Sequence, residues 1–194
     1  MKCVVATRNL GKFREIATVL EKVELVSLRD LPGAPEVVED QFTFQGNAMK
    51  KAREIHAWYG LSTLADDSGL VVDALSGLPG VHSARYAGRA ASDQENCKKL
   101  LRELQGIPLP KRQARYVCVL VLKLADGREF LTEGSCEGGI AMEARGSLGF
   151  GYDPVFFVPE FGKTMAEISL QEKNGISHRG QALQKMACLI GSLL

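Results

Sequence analysis

The N-terminal strand-turn-helix is the feature that most restricts how this chain can fold. A β-branched run, Lys2 to Thr7, passes through Arg8-Asn9-Leu10-Gly11-Lys12 into a helix expected from about Gly11 to Glu21. Phe13, Ile16, Ala17 and Leu20 fall at i, i+3, i+4 and i+7 of that helix. Such a stripe requires a sheet to cover it. Open α/β sheets bind ligands beyond the carboxyl ends of their strands, and Thr7 to Lys12 occupy such an end. Helix N-terminal amides and the Lys12 ammonium would converge there on an anion. The pattern G-x-x-x-x-G-K-[ST] is absent, so the stretch is not a P-loop, and alone it equally describes a helix start with a surface lysine.

The rest of the chain continues the alternation and then becomes strand-rich. Glu24 to Leu28 is expected as a strand, followed by a Pro- and acid-rich loop, Arg29 to Gln41, that contains Glu36, Glu39 and Asp40. Loops of that length in compact domains are often functional. Thr43 should cap a helix reaching about Tyr59, and Leu61 to Ala65 should be a strand that carries Asp66 and Asp67 at its C-terminal end. Leu70 to Leu75 continues as strand, and Ser76 to Ala91 is irregular. Ser92 with Glu95 forms a capping box that opens a helix to about Leu104. Arg115 to Leu124 and Glu129 to Gly138, joined at Asp126-Gly127, form a long β-hairpin. Val155 to Val158 is a short strand. Ser177 caps a last helix with Ala182, Leu183, Met186, Ala187 and Ile190 on one face. Repeats and linkers are lacking. The expectation is one α/β domain over residues 1–194, with a mixed central sheet and two lobes around a substrate cleft.

Composition removes several function classes. With 24 basic and 23 acidic residues the formal charge is +1, which gives no global field for nucleic acid or a membrane surface. Any anion site must be local. The five cysteines are odd in number and lack C-x-x-C spacing, so they are expected as reduced core residues rather than a disulfide frame or zinc site. No apolar run is long enough to span a bilayer and no signal-peptide pattern is present, so the expected location is cytoplasmic.

Two further motifs carry chemistry. Asp66-Asp67-Ser68-Gly69 consists of turn formers and could be only a turn, yet adjacent carboxylates after an apolar strand repel each other, and a hard cation relieves that repulsion. Ser177-His178-Arg179-Gly180 opens the last helix, where an exposed His and Arg on a capped helix are the bland alternative. No nucleophile signature surrounds any of the three histidines. Anion site, cation site and a His-Arg pair together suggest a metal-dependent enzyme acting on a phosphorylated substrate.

Six stretches then add a family resemblance. They are Ala6 to Lys12, Phe44-Gln45-Gly46-Asn47-Ala48, Leu64 to Leu70, Pro79 to Tyr86, Gly149-Phe150-Gly151-Tyr152-Asp153-Pro154 and Glu172 to Gly180. In this order they resemble the noncanonical purine nucleoside triphosphate pyrophosphatases, the family of inosine triphosphate pyrophosphatase, which hydrolyses ITP, dITP and XTP. Arg8 departs from the glycine or serine of many relatives and adds a cation beside the expected phosphate.

The resemblance implies Mg2+-dependent hydrolysis between the α- and β-phosphates, giving nucleoside monophosphate and pyrophosphate, and so removal of deaminated purines from the nucleotide pool. It implies that Thr7, Arg8, Asn9, Leu10, Gly11 and Lys12 hold the triphosphate. Asp67 is then the proton acceptor and a metal ligand, Glu39 a second metal ligand, and Ser68 a substrate contact. Phe150, Gly151, Tyr152 and Asp153 line the nucleoside pocket, with Phe150 stacking on the base, and Lys173, His178 and Arg179 complete recognition. Arg179, a pure donor, would pair with the 6-oxo group of hypoxanthine or xanthine and reject the 6-amino group of adenine. The family is typically homodimeric. Two alternatives stay open: a related house-cleaning phosphatase with another specificity, and a nucleotide-sensing or RNA-binding module, which predicts binding without turnover.

Overall fold

The computed structural model describes residues 1–193. The chain forms strands β1 (Lys2–Val5), β2 (Glu24–Ser27), β3 (Ser62–Val72), β4 (Gln113–Lys123), β5 (Glu129–Ile140), β6 (Phe156–Val158) and β7 (Lys163–Thr164). Its helices are α1 (Leu10–Val19), α2 (Phe44–Tyr59), α3 (Asp93–Glu103), α4 (Leu170–Ile176) and α5 (His178–Leu193). The strands make one seven-stranded sheet in the order β2-β1-β3-β4-β5-β6-β7. β1 pairs in parallel with β2 and β3, whereas β6 is antiparallel to β5 and β7, so the sheet is mixed and the fold is single-domain α/β. Among the described residues no helix is long and apolar enough to cross a membrane.

The chain divides into two compact units. The first comprises Met1–Asp67, Cys118–Gly134 and the chain from Arg179 onward. Its strands bury both faces, because successive side chains alternate. Cys3, Val5 and Leu64 face Ile16 of α1, Leu20 just after it, and Ala182, Leu183, Met186 and Ile190 of α5. Val4, Ala6 and Ala65 face Ala48, Ala52 and Ile55 of α2. Each fully buried Leu or Ile in these layers contributes roughly 1.5–3 kcal/mol. The second unit, Ser68–Val117 with Ser135–His178, has its own core. There Leu70, Val72, Leu100, Leu104, Tyr116, Phe156 and Met165 pack together.

Local chemistry accounts for most boundaries. Asn9 caps α1 by accepting from the Lys12 amide, and Thr43 caps α2 by accepting from the Gly46 amide. Ser92 and Glu95 form the reciprocal capping box of α3. Four cysteines are buried and Cys188 is exposed, all as free thiols.

The main departure from expectation is at β3. It does not stop at Ala65 and restart at Leu70 but runs unbroken through Asp66-Asp67-Ser68-Gly69. The two aspartates therefore lie inside a strand rather than beyond its end. α4 was not expected, and neither was the two-residue β7. Ser177 does not simply cap the last helix: its amide closes α4 on the Lys173 carbonyl, and α5 starts at the next residue.

Candidate active site

The site in the first unit is organised by the alternation of β3. Asp66 points to the α1/α5 side of the sheet and Asp67 to the α2 side, so neighbouring carboxylates meet different partners. Asp66 Oδ1 accepts from the Lys12 ammonium on the first turn of α1. Its Oδ2 accepts from Arg179 Nε at 2.8 Å and from the Cys118 thiol at 3.2 Å. Arg179 also donates through Nη1 to Glu15 and is only 2 % exposed. Burial alone would raise the Asp66 carboxyl, but the Arg179 and Lys12 charges overcome it and hold the group well below the usual carboxylate range. Asp66 thus stays ionised as the centre of a buried network.

On the other face Asp67 Oδ1 accepts from Lys51 Nζ at 2.8 Å and Oδ2 accepts from Asn47 Nδ2 at 3.3 Å. Asn47 and Lys51 are four residues apart on α2 and so share one side of that helix. Lys51 Nζ donates also to Glu39 Oε1 at 2.7 Å. Burial raises the Asp67 carboxyl, and the opposing charges of Lys51 and Lys12 do not fully offset it. A raised carboxyl is a stronger base once ionised, which suits a proton acceptor.

Glu39 and Asp67 therefore converge on the Lys51 ammonium. Two hard carboxylate oxygens fit magnesium, which keeps waters and completes its shell with substrate phosphates. Among the described residues no cluster of three His, Cys, Asp or Glu side chains could hold a metal. Glu39 belongs to the acidic loop, whose backbone is pinned from several sides. Arg8 Nη2 donates to the Ala34 carbonyl at 3.0 Å, Tyr59 Oη to the Pro32 carbonyl at 3.1 Å, and the Gln41 amide to Asn47 Oδ1 at 3.0 Å. Arg8 thus ties the expected phosphate loop to the loop that carries Glu39. In that phosphate loop Thr7 Oγ1 accepts from the Asn9 amide at 3.2 Å, and Arg8, Asn9 and Leu10 are exposed at the start of α1. Gly11 is half-buried one step into the helix.

The second unit holds the expected nucleoside residues except Arg179, which belongs to the first unit and is engaged by Asp66 and Glu15. Half-buried Phe150 lies 4.8 Å from Lys173 Nζ, ammonium over ring. Lys173 Nζ also donates to Asp153 Oδ2 at 2.6 Å, and Tyr116 Oη donates to Asp153 Oδ1 at 3.3 Å. The Phe150 amide donates to the same Asp153 carboxylate at 2.9 Å. Gly149 has φ +77°, and a Cβ there would collide with the Asp153 carboxylate. His178 stacks on Tyr116 at 4.5 Å. The Gly151 amide donates to Asp93 Oδ2 at 2.6 Å. Tyr152 is buried, with its hydroxyl on the Ser83 carbonyl at 2.9 Å, so its side chain builds core. Ser68 is half-buried on β3.

Sequence reasoning had not singled out Glu15, Asn47, Lys51 or Cys118 as site residues. Lys51 had a signal, since it lies one turn beyond Asn47 in a stretch already matched to the family. Glu15 and Cys118 sit on elements whose apolar pattern hid them.

Buried carboxylates paired with Lys12, Lys51 and Arg179 on an α/β sheet make a charged site of the kind enzymes carry. The comparisons make that class specific. The model of the Ham1 family matches residues 3–189. A dITP/XTP pyrophosphatase of Geobacter sulfurreducens is 53 % identical over 184 residues, covering 94 % of this chain and 92 % of the relative. One from Geobacillus kaustophilus is 52 % identical over 185 residues, covering 94 % and 91 %. The solved structure of the Staphylococcus aureus Ham1 protein superposes with a TM-score of 0.90 at 36 % identity, covering all of both chains. The chain belongs to the Ham1 family.

Proposed function

We propose that this protein is a nucleoside triphosphate pyrophosphatase that hydrolyses deaminated purine triphosphates, among them dITP, ITP and XTP, to the monophosphate and pyrophosphate, with Mg2+ as cofactor. The relatives named dITP/XTP pyrophosphatase at about half identity support the reaction class. The observation that carries it in this chain is that Glu39 and Asp67 both reach one point, the Lys51 ammonium, and so stand close enough to share a metal ion.

In this reading Asp67 accepts the proton of the attacking water, with Asn47 fixing one of its oxygens. Glu39 and Asp67 hold the metal, whose chemistry when bound is charge neutralisation at the phosphates. Lys12 and the amides that open α1 bind the phosphate chain. Phe150 stacks on the base, and Lys173 is kept beside its ring by Asp153. Residues 1–194 act as one catalytic domain, and the family resemblance extends the reading to a cytoplasmic homodimer. Sedimentation would check that assembly.

The decisive experiment offers dITP, ITP, XTP, GTP and ATP with and without Mg2+ and scores phosphate and pyrophosphate separately. Pyrophosphate release from the deaminated substrates, dependent on the metal, is expected. Phosphate release, or a preference for ATP, would overturn the reading.

A further inference from the structure

Lys51 is an unusual tenant for a cation site. It is 8 % exposed, and its ammonium lies 2.7 Å from Glu39 Oε1 and 2.8 Å from Asp67 Oδ1. Those are the same two carboxylates that the proposed function assigns to the metal. The stem is anchored on α2 between Asn47 and Ile55, one turn to either side and both buried. A four-carbon stem ending in a compact point charge can move by rotation about its bonds while the helix stays still.

We propose that Lys51 is a tethered cation that occupies the metal position in the free protein, so that a divalent ion binds tightly only together with a polyphosphate. With both carboxylates ionised, Glu39, Asp67 and Lys51 sum to one net negative charge. A free divalent ion must therefore displace an ammonium from two short hydrogen bonds and gains only two protein carboxylates in return. A metal that arrives on a phosphate chain brings further oxygen ligands and negative charge, which both complete its coordination and offer the displaced ammonium a new counter-charge. The consequence is an order of binding in which metal and substrate come together. Lys51 acts here as a positioning residue, holding the two carboxylates in register until then.

The proposal rests on the metal assignment above, and its test does not depend on turnover. Mn2+ serves as the probe, with free ion measured by electron paramagnetic resonance, in the absence of nucleotide. Lys51→Met should bind Mn2+ at least about tenfold more tightly than wild type, the scale set by removal of one adjacent like charge. Lys50→Met, which removes a neighbouring ammonium paired with Asp40 and Glu54, should bind Mn2+ as wild type does. Inorganic tripolyphosphate should raise Mn2+ affinity in wild type and narrow its gap from Lys51→Met. The same comparison by thermal unfolding covers a weakened variant: Mn2+ should raise the Tm of Lys51→Met more than that of wild type, and Lys51→Gln repeats the measurement if the methionine variant does not fold. Equal or weaker Mn2+ binding by the variants would overturn the proposal. Failure of the wild type to release pyrophosphate would instead refute the function and leave the Mn2+ comparison standing on its own result.

Discussion

Asp66 and Asp67 are consecutive residues with separate electrostatic lives. One is held by Lys12 and Arg179 on the α1/α5 side of the sheet, the other by Lys51 and Asn47 on the α2 side. The strand pleat alone divides them, and it assigns the strongly acidic carboxyl to the Lys12–Arg179 network and the more basic one to the side of Lys51 and Asn47.

Asp67→Asn keeps the shape and the hydrogen bond to Lys51 but removes the base. Turnover of dITP should fall by about 10²-fold or more, with circular dichroism and Tm close to wild type. Near-full turnover at saturating Mg2+ would end the assignment of Asp67.

Asp66→Asn should damage stability instead. It leaves Lys12 and Arg179 beside a neutral amide in a buried site, and breaking such a pair costs about 3–5 kcal/mol. The pH dependence follows from the lowered carboxyl. Its folded pKa lies below the unfolded value of about 3.9, so its contribution is complete above that value and lost as pH falls through the folded one. Denaturant titrations should therefore show a wide gap between wild type and variant at neutral pH that closes on strong acidification. A constant gap would show that charge is not what Asp66 contributes.

Lys12→Ala removes the ammonium that links α1 to Asp66. A charge-assisted contact to phosphate is worth about 1.5–3 kcal/mol, so triphosphate binding should weaken by tenfold or more and monophosphate binding by much less. Calorimetry with both ligands decides, and equal weakening would remove Lys12 from the phosphate site.

Arg179→Ala has two readouts, because the guanidinium already serves Asp66 and Glu15. Loss of both buried pairings should lower Tm. If Arg179 also pairs with the 6-oxo group, kcat/KM for ITP falls sharply, the small ATP rate changes little and the ratio collapses. A ratio that survives would confine Arg179 to holding the two carboxylates.

Much of this was legible in the chain because caps and apolar periodicity are local signals. Thr43, Ser92 and Glu95 mark helix starts, and the stripes of α1 and α5 fall where the spacing puts them. The continuation of β3 was not legible, since Asp, Ser and Gly have turn chemistry and only tertiary partners such as Lys12 and Lys51 make buried aspartates tolerable inside a strand. α4 was missed although Ser169 and Glu172 spell a capping box, because seven residues ending near Gly175 carry too little periodicity. In the site, charge and position point to Lys12 and to the Asp66-Asp67 pair, whereas the choice of Asp67 and the role of Glu39 come from the family resemblance. Glu15, Lys51 and Cys118 act through contacts far apart in sequence, which no window of the chain displays.

For protein engineering, the location of the aspartates inside β3 sets a boundary between what can be redesigned and what should be inherited. β3 lies between β1 and β4 in the sheet and runs unbroken through both aspartates, so the pleat of the strand dictates the spacing and facing of the two carboxylates. Loop remodelling has no purchase on that geometry. A campaign to shift substrate range would do best to randomise the segment around Phe150 and the acidic loop upstream of Thr43 while leaving the strand untouched, and libraries that mutate residues 62–72 should yield mostly unfolded proteins rather than new specificities.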